Sequence, residues 1–126
     1  MDDRSYRKLK VWQLSMNTVE QVYNLTQQLP NDEKYGLKSQ LQRASVSVPA
    51  NTAEGYGRLH RGDYIRHLSI ARGSLFEVET LLTIVVKLKL TSREQVIPIW
   101  QQLQETGRML TGMIRKLKQT KQETGL

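Results

Sequence analysis

An all-α fold, an antiparallel up-down-up-down four-helix bundle, is what this sequence predicts, and three observations predict it. Apolar residues recur at spacings of three and four over long stretches, which is the stripe of a packed helix. The stretches are separated by short breaks rich in Pro, Gly, Asn and Ser. No segment alternates with period two over the length of a strand. Short connections between long helices favour antiparallel neighbours. At 126 residues the chain is long enough for one domain with a real core and too short for two.

The first helix is expected over about 9–28, on a stripe of Trp12, Met16, Val19, Tyr23 and Thr26 widened by Val22 and Leu29. Pro30 ends it, and Asn31, Asp32 and Glu33 supply a cap and first-turn acids for a second helix over about 32–57. In that helix Leu37, Leu41, Ala44 and Val48 form the stripe. The same spacing then lands on Asn51, Gly55 and Arg58, so the stripe turns from apolar to small and polar. Pro49 lies inside it, where it removes an amide donor and is expected to bend the axis. The small residues from Ala44 to Ala53 predict that another backbone approaches closely.

Gly55 and Gly57 loosen the chain before a turn around Arg61-Gly62-Asp63. The third helix is expected over about 63–89, where Tyr64, Leu68, Ala71, Leu75, Val78, Leu82 and Val85 give a sustained repeat. Ser92 with Gln95 fits a capping box opening a fourth helix over about 93–119. Its stripe is Val96, Ile99, Leu103, Leu110, Ile114 and Leu117. Pro98 bends this helix or marks a later start, Gly107 and Gly112 weaken it, and a frayed tail follows over 120–126.

No apolar run approaches the length of a membrane span, and Met1-Asp2-Asp3-Arg4 offers no apolar signal region, so a cytoplasmic location is expected. The absence of cysteine excludes disulfides and thiolate chemistry. A net charge of +7 and a pI near 9.9 favour polyanionic partners.

The expected topology says where that charge goes. The start of helix one, the turn between helices two and three, and the end of helix four share one end of an up-down-up-down bundle. They bring Arg4, Arg7, Lys8 and Lys10, then Arg58, Arg61 and Arg66, then Arg115, Lys116, Lys118 and Lys121, with His60 and His67 nearby. Asp2, Asp3, Glu54, Asp63 and Glu123 oppose them, so nearly all the excess charge collects there. Helix dipoles explain basic residues at the end of helix four but not at the start of helix one, where positive charge is unfavourable. A phosphate-bearing polyanion explains both. Arg7, Lys8, Lys10, Arg58, Arg61, Arg115, Lys116 and Lys118 are the expected contact set. Tyr6 and Tyr56 lie among them, either as stacking platforms for unpaired bases or as residues of the core's rim.

Other motifs carry less. Gly55-Tyr56-Gly57 lacks the strand, lysine and hydroxyl residue of a phosphate loop and reads as a helix end. His60 and His67 are two turns apart, which is too far to share a metal, so no metal or other cofactor is expected. Glu54 and Glu79, beside the small patches of helices two and three, could form an acid–base pair in a cleft. With Arg72 they could equally form an ion-pair network locking two closely packed helices. No nucleophile, base and orienting residue can be assembled, so no enzyme is expected.

Three stretches carry a family resemblance: Leu9-Lys10-Val11-Trp12-Gln13, Tyr35 to Arg58, and Ile70-Ala71-Arg72-Gly73-Ser74-Leu75-Phe76-Glu77-Val78-Glu79-Thr80. They resemble the four-helix-bundle family of 23S rRNA intervening-sequence proteins, which is grouped with the accessory variability determinant proteins of diversity-generating retroelements. The matching motif places Asn51, Glu54, Gly55, Gly57 and Arg58, with Thr52 where the family commonly has isoleucine. The resemblance implies a bundle without catalytic residues that assembles into a ring-like homopentamer with a basic surface. On the retroelement side it implies a reverse transcriptase and its structured template RNA as partners. On the other side it implies a tie to ribosomal RNA through gene location.

The expected function is therefore a non-enzymatic, self-associating, basic scaffold that holds structured RNA. Two alternatives stand beside it. One is a protein-interaction module without nucleic acid, in which the polar motif of Asn51, Glu54, Gly55, Arg72 and Glu79 and the small patch form a subunit interface. The other is an enzyme using Glu54 and Glu79.

Overall fold

In the computed structural model, residues 5–31 and 35–123 are described, with side chains through Gln119. They form a 3-10 turn, Tyr6–Lys8, and four α-helices: α1 (Lys10–Thr26), α2 (Leu37–Tyr56), α3 (Arg61–Lys87) and α4 (Arg93–Glu123). No described residue lies in a strand. Helix α2 packs on α1 and α3, and α4 packs on α3 and α1, which closes a four-helix bundle. The 3-10 turn docks on α1 and α2.

Helix α3 follows its sequence pattern. Leu68, Ala71, Leu75, Val78, Leu82 and Val85 are all buried, and His67 and Leu81 widen the stripe. Full burial of each leucine or valine contributes about 1.5–3 kcal/mol. The helix stops in a Schellman motif: Leu90 N–H bonds Val85 O and Lys89 N–H bonds Val86 O, both at 2.9 Å. Lys89 takes the left-handed position, φ 61°, where glycine is usual. Leu90 folds back against the core and holds it there.

The buried face of α1 differs from the expected one. Val11, Ser15, Thr18, Val22, Leu25 and Thr26 face inward, with Leu29 just beyond the helix. Met16 is 42% exposed and Tyr23 40%, while Trp12 and Val19 are half-buried. Ser15 and Thr18 are short: the Ser15 hydroxyl donates to the Trp12 carbonyl, and the Thr18 hydroxyl lies 2.8 Å from Gln102 Oε1 of α4 and 3.1 Å from the Leu14 carbonyl. They enter the core with those donors satisfied and let the neighbouring helices approach closely. The larger side chains are left on the outer face.

Helix α2 starts at Leu37, not near residue 32, because Gly36 is left-handed at φ 65° and no right-handed helix can run through it. Asp32 and Glu33, the expected first-turn acids, lie outside the described residues, and Asn31 instead accepts a hydrogen bond from Lys38 Nζ at 3.0 Å. The buried line runs Leu37, Leu41, Ala44, Val48, Thr52 and Gly55, so past Val48 it follows Thr52 rather than Asn51. Pro49 is buried within the continuous helix.

Helix α3 starts at Arg61, so Arg61, Gly62 and Asp63 form its first turn rather than a separate loop, and Asp63 sits favourably at the positive end of the dipole. Before α4, Ser92 Oγ accepts from Gln95 N–H at 3.3 Å. The Gln95 side chain takes the Thr91 hydroxyl instead of closing the box. Pro98 lies inside α4, which starts ahead of it. The backbone of α4 continues to Glu123, past the expected end at 119, because no helix breaker intervenes before Gly125. Residues 124–126 of the expected tail lie outside the described residues.

Candidate nucleic-acid interface

A polar seam runs between α2 and α3, and their close approach makes it. A Cβ added to Gly55 would lie 2.7 Å from His67 Cβ and 3.3 Å from the Tyr64 carbonyl. The backbone approach expected from the small residues of α2 is thus made by α3 of the same chain. Along the seam, Ser47 and Ser74 share a 2.8 Å hydrogen bond. Asn51 Nδ2 donates to Ser47 O and Oγ, which fixes the amide and turns Oδ1 toward His67 Nδ1, 3.1 Å away. His67 Nδ1 therefore carries the proton and donates it to Asn51. Its Nε2 is buried, with no hydrogen-bond partner among the described residues, 4.0 Å from Glu54 Oε1. Glu54 also accepts from Arg58 at 2.7 Å. Burial, with Tyr56 alongside, pushes the Tyr64 phenol above its ordinary value.

The expected contact residues occupy three segments. Arg7 and Lys8 are in the 3-10 turn and Lys10 opens α1, Arg58 and Arg61 flank the α2–α3 connection, and Arg115, Lys116 and Lys118 lie on the last part of α4. All eight are exposed, as is Arg66. Their surroundings differ. Arg7 stacks over Tyr6 and Trp12, 5.6 Å from each ring centroid, and Ser5 caps its backbone amide. Arg58 is tied to Glu54, whereas Lys10, Arg61, Arg115 and Lys118 have no carboxylate within 4 Å among the described residues. The two tyrosines are both engaged, Tyr6 edge-on to Trp12 and Tyr56 edge-on to Tyr64. Arg4 and the side chain of Lys121 lie outside the described residues.

Glu54, Arg72 and Glu79 do not form one network. Glu54 meets His67, and His67 and Glu79 stand twelve positions apart on α3, about 18 Å of helix. Glu54 and Glu79 therefore do not face one cleft as an acid–base pair. Arg72 faces α4, donating from Nε to Thr111 Oγ1 at 2.9 Å and stacking on Phe76 at 4.7 Å. Glu79 accepts from Gln104 Nε2 at 3.3 Å, and burial pushes its carboxyl above the ordinary glutamate value. Arg72, Phe76 and Glu79 line a groove of about 380 Å³ between α3 and α4, together with Arg108, Gly112 and Arg115.

Sequence reasoning missed His67, Ser47 and Ser74 as seam residues. A signal existed: His67 directly precedes Leu68 on the α3 stripe, and a buried imidazole needs a partner, which the polar Asn51 of α2 supplies. His60, by contrast, is exposed as the cap residue ahead of α3.

Fold and site together define an all-helical bundle with a tight polar seam and exposed basic residues on three segments. Residues 7–112 match the family described as 23S rRNA-intervening sequence protein, and the chain belongs to that family. It is also similar to a crystal structure from Bacteroides thetaiotaomicron, described as a protein of unknown function from the S23 ribosomal protein family. The two share 26% identity and a TM-score of 0.77, over 82% of this chain and 97% of the other. No curated protein matches the chain.

Proposed function

We propose that this protein is a non-enzymatic RNA-binding scaffold. The observation that carries the reading is the set of exposed basic residues on three separate segments. In an antiparallel up-down-up-down bundle, the 3-10 turn, the α2–α3 connection and the last turns of α4 meet at one end. Arg7, Lys8, Lys10, Arg58, Arg61, Arg115, Lys116 and Lys118 then form a phosphate-binding surface. Met16 and Tyr23, exposed on the outer face of α1 beside half-buried Trp12 and Val19, support self-association, for which a ring-like homopentamer is the proposed form. Ring symmetry would multiply the field of one basic end, within a screening length of about 8 Å at physiological salt. Acting in the cytoplasm, the scaffold would hold structured RNA against a protein partner such as a reverse transcriptase, or associate with ribosomal RNA.

The same α1 face favours a second reading, a protein-interaction bundle that binds no nucleic acid. One experiment separates the two: RNA affinity of nuclease-treated protein across a salt series, with oligomeric mass measured in the same buffers. Binding by an intact oligomer that weakens steeply with salt supports the scaffold, and the slope counts neutralised phosphates. Charge reversal at Lys10, Arg61, Arg115 and Lys118 should abolish it. Absence of binding at low salt refutes the RNA reading and leaves the second one.

A further inference from the structure

We propose that the groove between α3 and α4 is a seat for single-stranded nucleic acid, with phosphates on Arg72, Arg108 and Arg115 and an unstacked base against Phe76. The inference rests on the RNA-binding reading and extends it to a surface beyond the basic end.

The first argument is Arg72. It is half-buried, yet among the described residues no carboxylate lies within 4 Å of it. Thr111 holds its Nε at 2.9 Å, and its guanidinium carbon lies over the Phe76 ring, 4.7 Å from the centroid. The guanidinium is therefore fixed, while its two terminal NH2 groups have no hydrogen-bond partner among the described residues. A preorganised fork of donors in a plane suits a phosphate better than it suits solvent.

The second argument is the pair of glycines on the α4 side. A glycine inside a helix is unfavourable relative to alanine. Packing within the chain demands neither one. A Cβ at Gly112 would meet nothing within 4 Å, and one at Gly107 would make ordinary contact with Leu75 at 3.8 Å. Their effect is to open the groove, which points to something entering it.

The third argument is charge and spacing. Three arginines line the groove against the single carboxylate of Glu79, and Arg108 is held only loosely by Glu105, at 3.4 Å with both side chains mostly exposed. Arg108 and Arg115 lie two turns apart, about 10 Å, with Thr111 and hence Arg72 between them. Cations thus recur in steps of about 5 Å along a track suited to a single strand. Phe76 is 44% exposed, which leaves its ring open to an unstacked base beside Arg72. Arg115 belongs also to the basic end, so the groove continues that surface.

The test uses the full chain and fluorescence anisotropy with two labelled probes, a single-stranded oligouridine of about 12 nucleotides and a duplex of the same length. The variants are Arg72→Gln/Arg108→Gln and Gly112→Leu. The second fills the groove at an open position without touching charge, and both are checked for folding by their melting curves. Single-strand affinity should fall about tenfold or more in each variant while duplex affinity holds, and the salt slope of the double variant should drop by about 1–2. Unchanged single-strand affinity in the folded variants overturns the groove and leaves RNA binding at the basic end standing. Failure of wild-type protein to bind either probe overturns both. A glutamate-rich peptide that binds, is lost in both variants and does not compete with oligouridine overturns the proposal in favour of a protein partner.

Discussion

Replacing Gly55 with alanine tests whether the α2–α3 seam is as tight as the geometry says. The new methyl group would lie 2.7 Å from His67 Cβ, 3.0 Å from Tyr64 Cδ1 and 3.3 Å from the Tyr64 carbonyl. Carbon–carbon contact is optimal near about 3.5–4.0 Å, so about 1 Å of separation must be found. The obstacles are a Cβ and a backbone carbonyl, which move only with α3 itself. Overpacking of this kind costs about 1–3 kcal/mol. Against it stands the gain in helix propensity, at most about 1 kcal/mol and less near a helix end. The net expectation is a loss of about 1–2 kcal/mol, or roughly 4–8 °C in melting temperature for a domain of this size. Gly73→Ala is the control: its Cβ would meet nothing within 4 Å, so it should gain about 0.5–1 kcal/mol. The assay is urea unfolding of both variants beside the parent, followed by circular dichroism. A Gly55→Ala protein as stable as Gly73→Ala would refute the claim that close backbone approach holds these helices together.

Two further predictions concern polar groups. Asn51→Ala should cost about 1–3 kcal/mol by leaving His67 Nδ1–H buried without its acceptor. Asn51→Leu combined with His67→Phe should recover much of that, so a denaturant double-mutant cycle should show clear coupling, and strict additivity would sink the hydrogen bond as drawn. Burial raises the Glu79 carboxyl, so the folded state holds its proton more tightly than the unfolded chain does. Stability contributed by that proton is present below the ordinary glutamate range and is lost as pH rises through the raised value. Glu79→Gln keeps an oxygen for Gln104 and should melt slightly above the parent near neutrality, the gap closing as pH falls through that range. A gap independent of pH would remove burial as the cause.

Helix α3 shows what a sequence determines alone. From Leu68 to Val85 its stripe keeps one three-four period with no serine or threonine on it, so one face outweighs the others, and that face is the one buried, with Ile70 and Phe76 left exposed off the stripe. The bundle class, the break near Gly57 and the Ser92 cap are legible for the same reason, since local chemistry admits one solution. Helix α1 is the counterexample. Two stripes one position apart compete there, and the one with the greater hydrophobic content, Trp12 to Tyr23, is not the one buried. Whether Ser15 and Thr18 can enter a core depends on how close α2 and α4 come, and that distance is not a property of α1. That the basic residues of three segments are exposed was legible from charge and periodicity, since long charged side chains keep to the surface. The seam was only half legible, because its pairings join residues sixteen and twenty-seven positions apart whose register is set by packing. Arg72 and Glu79 stood out in the sequence, but their partners Thr111 and Gln104 come from a helix whose rotation is fixed by its own core residues. Periodicity therefore decided the helices and the fold class. Which face turns inward where two compete, and which polar groups meet across a seam, were decided by close packing, which acts only once all four helices are in place.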